Sequence, residues 1–131
     1  MYNLDVNSSL QIFRGQNVVT REMVISSTYG DINADGTLTL NTDFDTNTSG
    51  TVAKTFVSAP TGIGITRQVK RIEINNQDVI SDNVSIQHVL TSGTWVVKRQ
   101  VNLQIGSSLN YEDALGWYVT DTNGQKAIGG N

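Results

Sequence analysis

Apolar residues recur at every second position in several short runs of this chain. In TWVVKRQVNLQI, Trp95, Val97, Val101, Leu103 and Ile105 share one phase of a two-residue period, broken only by Arg99. Lys98, Gln100, Asn102 and Gln104 fill the other phase. NVSIQHVL sets Val84, Ile86, His88 and Leu90 on one face, and TLTLNTDF does the same with Leu38, Leu40, Thr42 and Phe44. Shorter matches are Ile72 and Ile74 in VKRIEIN and Leu115, Trp117 and Val119 in LGWYVT. Each run predicts a half-buried strand with its apolar side inward. No segment holds a 3.6-residue apolar period for ten residues, so at most one helical turn is predicted, at Glu112–Leu115.

Turn-forming clusters separate these runs: GDINADG at Gly30–Gly36, NTSG at Asn47–Gly50, NNQD at Asn75–Asp78, TSG at Thr91–Gly93, GSS at Gly106–Ser108 and TNG at Thr122–Gly124. Their spacing predicts an all-β protein, a single antiparallel β-sandwich of jelly-roll or immunoglobulin-like type with about eight or nine strands. One domain over residues 1–131 is expected. The lone proline, Pro60, lies in a Pro/Gly-rich stretch, residues 59–64, that marks a candidate seam between two halves. Residues 1–15 are expected to be a docking arm, and residues 41–51, poor in aliphatic side chains, an exposed loop.

Composition narrows the function classes. Charged residues make up 16% of the chain, below the roughly 25% of an average soluble domain, and Thr, Ser, Asn and Gly fill the difference. There is no cysteine, hence no disulfide frame, thiolate nucleophile or Cys-ligated zinc. Net charge is −3, a poor basis for general nucleic-acid binding. No window approaches ~18 consecutive apolar residues and no basic-then-apolar leader opens the chain, so a soluble protein made in the cytoplasm, without membrane insertion, is expected.

Candidate chemistry is sparse. DINADG matches the first half of a calcium loop, with oxygen ligands at Asp31, Asn33 and Asp35, but Thr42 stands where a bidentate glutamate would close the shell. A tight turn held by the same side chains is the preferred reading, and no cofactor is expected. Arg67, Lys70, Arg71, Lys98 and Arg99 would form a basic patch if their two strands were neighbours. His88 is the only histidine and lies on an apolar face, and no G-x-S-x-G elbow exists. Glu112 and Asp113 are consecutive, so on a strand they point to opposite faces and cannot flank a glycosidic bond. An enzyme is therefore not expected. Trp95, Trp117 or Tyr118 could stack on sugars, which leaves a carbohydrate-binding module, taking a surface glycan, as a further reading.

The second half of the chain carries a longer pattern. Arg71, Ile72, Ile74, Asn76 and Asp78 are followed by Val101, Leu103, Gly106, Ser108, Leu109, Tyr111, Asp113, Gly116, Trp117, Val119, Asp121 and Gly124. This arrangement resembles a family of small bacteriophage virion structural proteins of the head-decoration, head-fibre or tail-accessory type, while residues 1–60 match no part of it. The resemblance implies a non-enzymatic protein that assembles in the host cytoplasm onto the virion. Capsid decoration or cementing is the first expectation, and a tail or baseplate accessory is the alternative. The implied partners are the major capsid protein or other virion proteins and further copies of the chain, a trimer being compatible with symmetric capsid positions. Tyr111, Asp113, Gly116, Trp117, Asp121 and Gly124 are implied to be turn and core residues.

Overall fold

The computed structural model describes residues 2–126. Ten strands follow one another: β1 (Tyr2–Leu4), β2 (Ser8–Arg14), β3 (Val24–Ile32), β4 (Thr42–Asn47), β5 (Lys54–Val57), β6 (Thr66–Asn75), β7 (Asp82–Leu90), β8 (Trp95–Leu103), β9 (Ser108–Glu112) and β10 (Gly116–Thr120). One sheet runs in the order β10-β9-β6-β3-β4, with β1 paired to β6, and the other in the order β5-β2-β7-β8. Every pairing is antiparallel. The all-β sandwich expected from the alternation is present, with ten strands in place of eight or nine.

Alternation places the core. In β2 the burial pattern is strictly two-periodic, with Leu10 and Ile12 inward and Gln11 and Phe13 less buried. Leu10, Ile12, Val84, Ile86, Val101 and Leu103 of the second sheet join Ile25, Ile72, Ile74, Leu109 and Val119 of the first in one apolar cluster. β5 contributes two consecutive buried residues, Phe56 and Val57, because its register on β2 shifts between Leu10 and Gln11 and one residue is inserted.

Three expectations about the first half are overturned. Residues 2–14 are not a docking arm: β1 closes onto β6, β2 lies between β5 and β7, and Leu4 is fully buried. Residues 59–64 are not a seam between halves, because β1, β3 and β4 share a sheet with β6, β9 and β10, while β2 and β5 share the other with β7 and β8. The stretch instead carries the chain from one sheet to the other, with Pro60 buried. Residues 41–51 are not merely a loop, since β4 pairs along β3 from Tyr29↔Thr42 to Val24↔Asn47.

Inserted residues explain where the alternation misleads. Between Asp31 and Tyr29 the chain spends two steps, while its partner spends three, from Thr39 to Thr42. The extra residue breaks the phase, so Leu38 and Leu40 are exposed, Leu40 at 92%. In β8 the register shifts opposite Ile86 and Gln87, leaving Lys98 as the insertion. Arg99, Val101 and Leu103 therefore face inward, and Trp95 and Val97 are switched to the outer face. Leu90, at the end of β7, and Ile105, in the turn after β8, are also exposed. Glu112–Leu115 forms a tight turn and no helix is found among the described residues. Leu115 sits in that turn, exposed, and does not share the inward side of Trp117 and Val119.

Candidate interaction surfaces

The DINADG segment is a hairpin turn. Gly36 N–H donates to the Asn33 carbonyl and Asn33 N–H to that of Thr37, with Gly36 at φ 86°, a conformation glycine adopts without a Cβ penalty. Both carboxylate oxygens of Asp31 accept from the Arg67 guanidinium, at 2.9 and 3.1 Å. Asp35 accepts from the backbone and hydroxyl of Thr37, and the Asn33 amide donates to that hydroxyl. The Thr37 hydrogen bonds hold the Asp35 carboxyl below its ordinary range. Each of the three candidate calcium ligands thus has a protein partner. Among the described residues no cluster of three or more His, Cys, Asp or Glu is placed to hold a metal ion.

The condition for a joint basic patch is not met. Arg67, Lys70 and Arg71 belong to β6, and Lys98 and Arg99 to β8, which lie in different sheets. Arg67 is tied to Asp31, donates to the Ser58 carbonyl and hydroxyl, and stacks over the Tyr29 ring at 4.3 Å. Arg71 pairs with Glu73 on the exposed face of the first sheet.

The aromatic residues divide in the same way. Tyr2, Tyr111 and Trp117 form a tilted cluster with centroids 4.9 to 6.1 Å apart, against the core. Trp117 Nε1 donates to the Tyr2 hydroxyl at 2.7 Å, fastening β1 to β10. Tyr118 lies on the opposite face of β10, its hydroxyl donating to Glu112 at 2.6 Å, and that hydrogen bond raises the phenol's pKa. Trp95, 57% exposed, stands on the other sheet. Of the three residues named for sugar stacking, Trp117 packs against the core, while Tyr118 and Trp95 stand on different sheets.

Asp113 and Gly116 occupy the β9–β10 turn, where Asp113 N–H donates to the Lys70 carbonyl and Gly116 has φ 72°. Asp121 accepts from Asn123 and Gln125 backbone N–H groups, and Gly124 N–H returns to the Asp121 carbonyl. Among the described residues two clefts measure only ≈ 80 Å³, one between Tyr29, Phe44, Thr55, Phe56 and Ser58, the other beside Asp31 and Lys70. A shallower polar depression of ≈ 360 Å³ runs past Asn83, Arg99, Gln100 and Asn102.

A buried ionic knot escaped the sequence reading. Arg14, 1% exposed, donates Nε to Asp82 at 2.9 Å and Nη2 to Asp78 at 2.8 Å, and Nη1 reaches the Arg21 carbonyl and Glu22. Asp78 also accepts backbone N–H groups of Val19, Thr20, Arg21 and Val79, stitching the β2–β3 connection to the loop after β6. Arg14 falls in phase with Ser8, Leu10 and Ile12, so the alternation itself points it inward.

The Val19 N–H, then Arg14 and further backbone donors, hold the Asp78 carboxyl well below the usual carboxylate range. With the folded pKa below an unfolded value of about 3.9, the stabilisation is complete above about pH 4 and is lost as pH falls through the folded value. Thermal melts should therefore show Tm dropping below about pH 4, with the Asp78→Asn variant flatter over that range. Equal slopes for the two proteins would assign the acid sensitivity to other carboxylates.

β8 is an open edge strand of the second sheet. Leu90, Trp95, Val96 and Val97 are exposed around the β7–β8 hairpin, and β8 has a single partner strand among the described residues. His88 Nε2 and Arg99 Nε are buried with no hydrogen-bond partner among the described residues. Burial, and then the nearby Lys98 charge, lower the His88 pKa. The chain matches no protein-family model, no curated protein and no solved structure.

Proposed function

We propose that this protein is a non-enzymatic bacteriophage virion structural component that decorates or cements the capsid, with the major capsid protein as its principal partner. The carrying observation is the exposed run Trp95, Val96 and Val97 on an open edge strand, a surface suited to binding another protein. Support also comes from the phage-like pattern, whose positions serve the scaffold: Tyr111 and Trp117 pack, while Asp113, Gly116, Asp121 and Gly124 shape turns. That pattern therefore describes a rigid platform, leaving edges and loop tips to engage neighbours.

Immunogold labelling of purified particles of the encoding phage tests this reading. Label over the heads is the expected result. Label confined to tails would replace it with the tail-accessory reading, and absence of the chain from purified particles would overturn both.

A further inference from the structure

The two flanks of the sandwich carry edges of opposite charge. β4 ends the first sheet on the flank where β3 approaches β5, and β8 ends the second sheet on the flank where it approaches β9. The sequence of β4 is TDFDTN, exposed nearly throughout, with Asp43 and Asp45 on one face and Phe44, half-exposed, on the other. Those carboxylates accept hydrogen bonds from Thr28 and Ser26, and among the described residues neither enters an ion pair. The sequence of β8 begins WVVKRQ, with Trp95 and Val97 on one face and Val96 and Arg99 on the other, beside His88.

We propose that copies of this chain associate head to tail, β4 of one copy adding parallel to β8 of the next, since both strands run toward the same end of the sandwich and their free edges lie on opposite flanks. In that arrangement the Asp43 and Asp45 face lies toward Arg99 and His88, whose buried nitrogens lack partners, and Phe44 lies toward Trp95 and Val97. Pairing like edges is disfavoured: two β4 strands would bring four carboxylates together, and two β8 strands would oppose Lys98 and Arg99 with themselves. Because the contact joins different surfaces, it propagates to a ring or a filament and does not stop at a symmetric pair. Other edges are poorer templates. β5 has four residues, β10 has five, and an isolated bridge between Thr120 and Lys126 follows β10. The inference does not depend on a place in the virion, and its test uses the isolated chain.

Sedimentation of the full chain against concentration and salt provides the test. The wild type should exceed the mass of a dimer as concentration rises and dissociate as salt screens the charges. Asp43→Lys with Asp45→Lys in one variant, and Lys98→Glu with Arg99→Gln in another, should each weaken association at least tenfold. An equimolar mixture of the two should reassemble, since each restores an opposite charge to the other. The isosteric pair Asp43→Asn with Asp45→Asn, which leaves the fold's shape intact, should weaken association in the same direction. Circular dichroism melts establish that each variant is folded. A wild type that stays monomeric at millimolar concentration, that stops at a dimer, or whose assembly ignores these changes overturns the proposal. A monomeric mixture of the two charge variants, both folded, overturns it equally. None of these outcomes bears on whether the chain is found in phage particles.

Discussion

Replacing Arg14 by leucine should cost roughly 3–5 kcal/mol of folding stability, because it leaves carboxylates in the interior without their cation. Asp78 and Asp82 are both buried, and the guanidinium is the charged partner they share. A domain of this size is stable by only about 5–15 kcal/mol, so the variant should lose a large part of its folded population near 37 °C. Urea denaturation of the two proteins measures the difference directly. In an Asp82→Asn background the same substitution should cost less, since one of the stranded charges has already been removed. A loss below about 1 kcal/mol would show that water reaches the carboxylates and that the knot is not sealed as its geometry indicates.

Ile12→Ala should have a comparable effect, about 2–5 kcal/mol, from the lost transfer energy and the cavity left behind. Ile12 is fully buried on β2, opposite Ile86 of β7 and Lys54 of β5, with neighbouring strands on both sides. Gln11→Ala, one residue away on the outer face, should cost less, about 1 kcal/mol, from the lost hydrogen bonds to Gln87 and Thr55. The contrast distinguishes a central strand from an attached arm. If chemical denaturation showed Ile12→Ala to be as mild as Gln11→Ala, residues 8–14 would not belong to the core.

Legibility in the sequence followed the regularity of pairing. NVSIQHVL alternates along the buried part of β7 and RIEIN along the end of β6, beyond a residue inserted at Lys70, and there the inward residues Val84, Ile86, Ile72 and Ile74 could be read directly. The same rule failed in β8 and before β4, where one inserted residue reverses every side chain beyond it. No local signal announces such an insertion, though Arg99 interrupting an apolar phase was its visible trace. SSLQIFR carries a clean period of its own. Its inward phase ends on a charge, Arg14, whose burial only the ionic knot allows. That knot needs Asp78 and Asp82, 64 and 68 residues away, and a pairing over such a span is set by the fold and not by neighbours in the chain. The Asp31 turn was legible from its residue types, whereas its link to Arg67 required knowing that β3 lies beside β6.

The hydrogen bond from Trp117 to Tyr2 spans 115 positions and fastens one of the first strands to the last. During translation the partners of β1 emerge long after β1 itself: β6 begins at Thr66, and β10 at Gly116. Most of the first sheet is likewise built from strands distant in the chain, a topology in which loop closure must precede its reward and folding is slow, on the order of milliseconds to seconds. On the ribosome β1 therefore waits, with the Tyr2 ring uncovered, until the β9–β10 hairpin brings Tyr111 and Trp117 against it. The interval before that hairpin arrives is when the nascent chain is most open to aggregation and most dependent on chaperones.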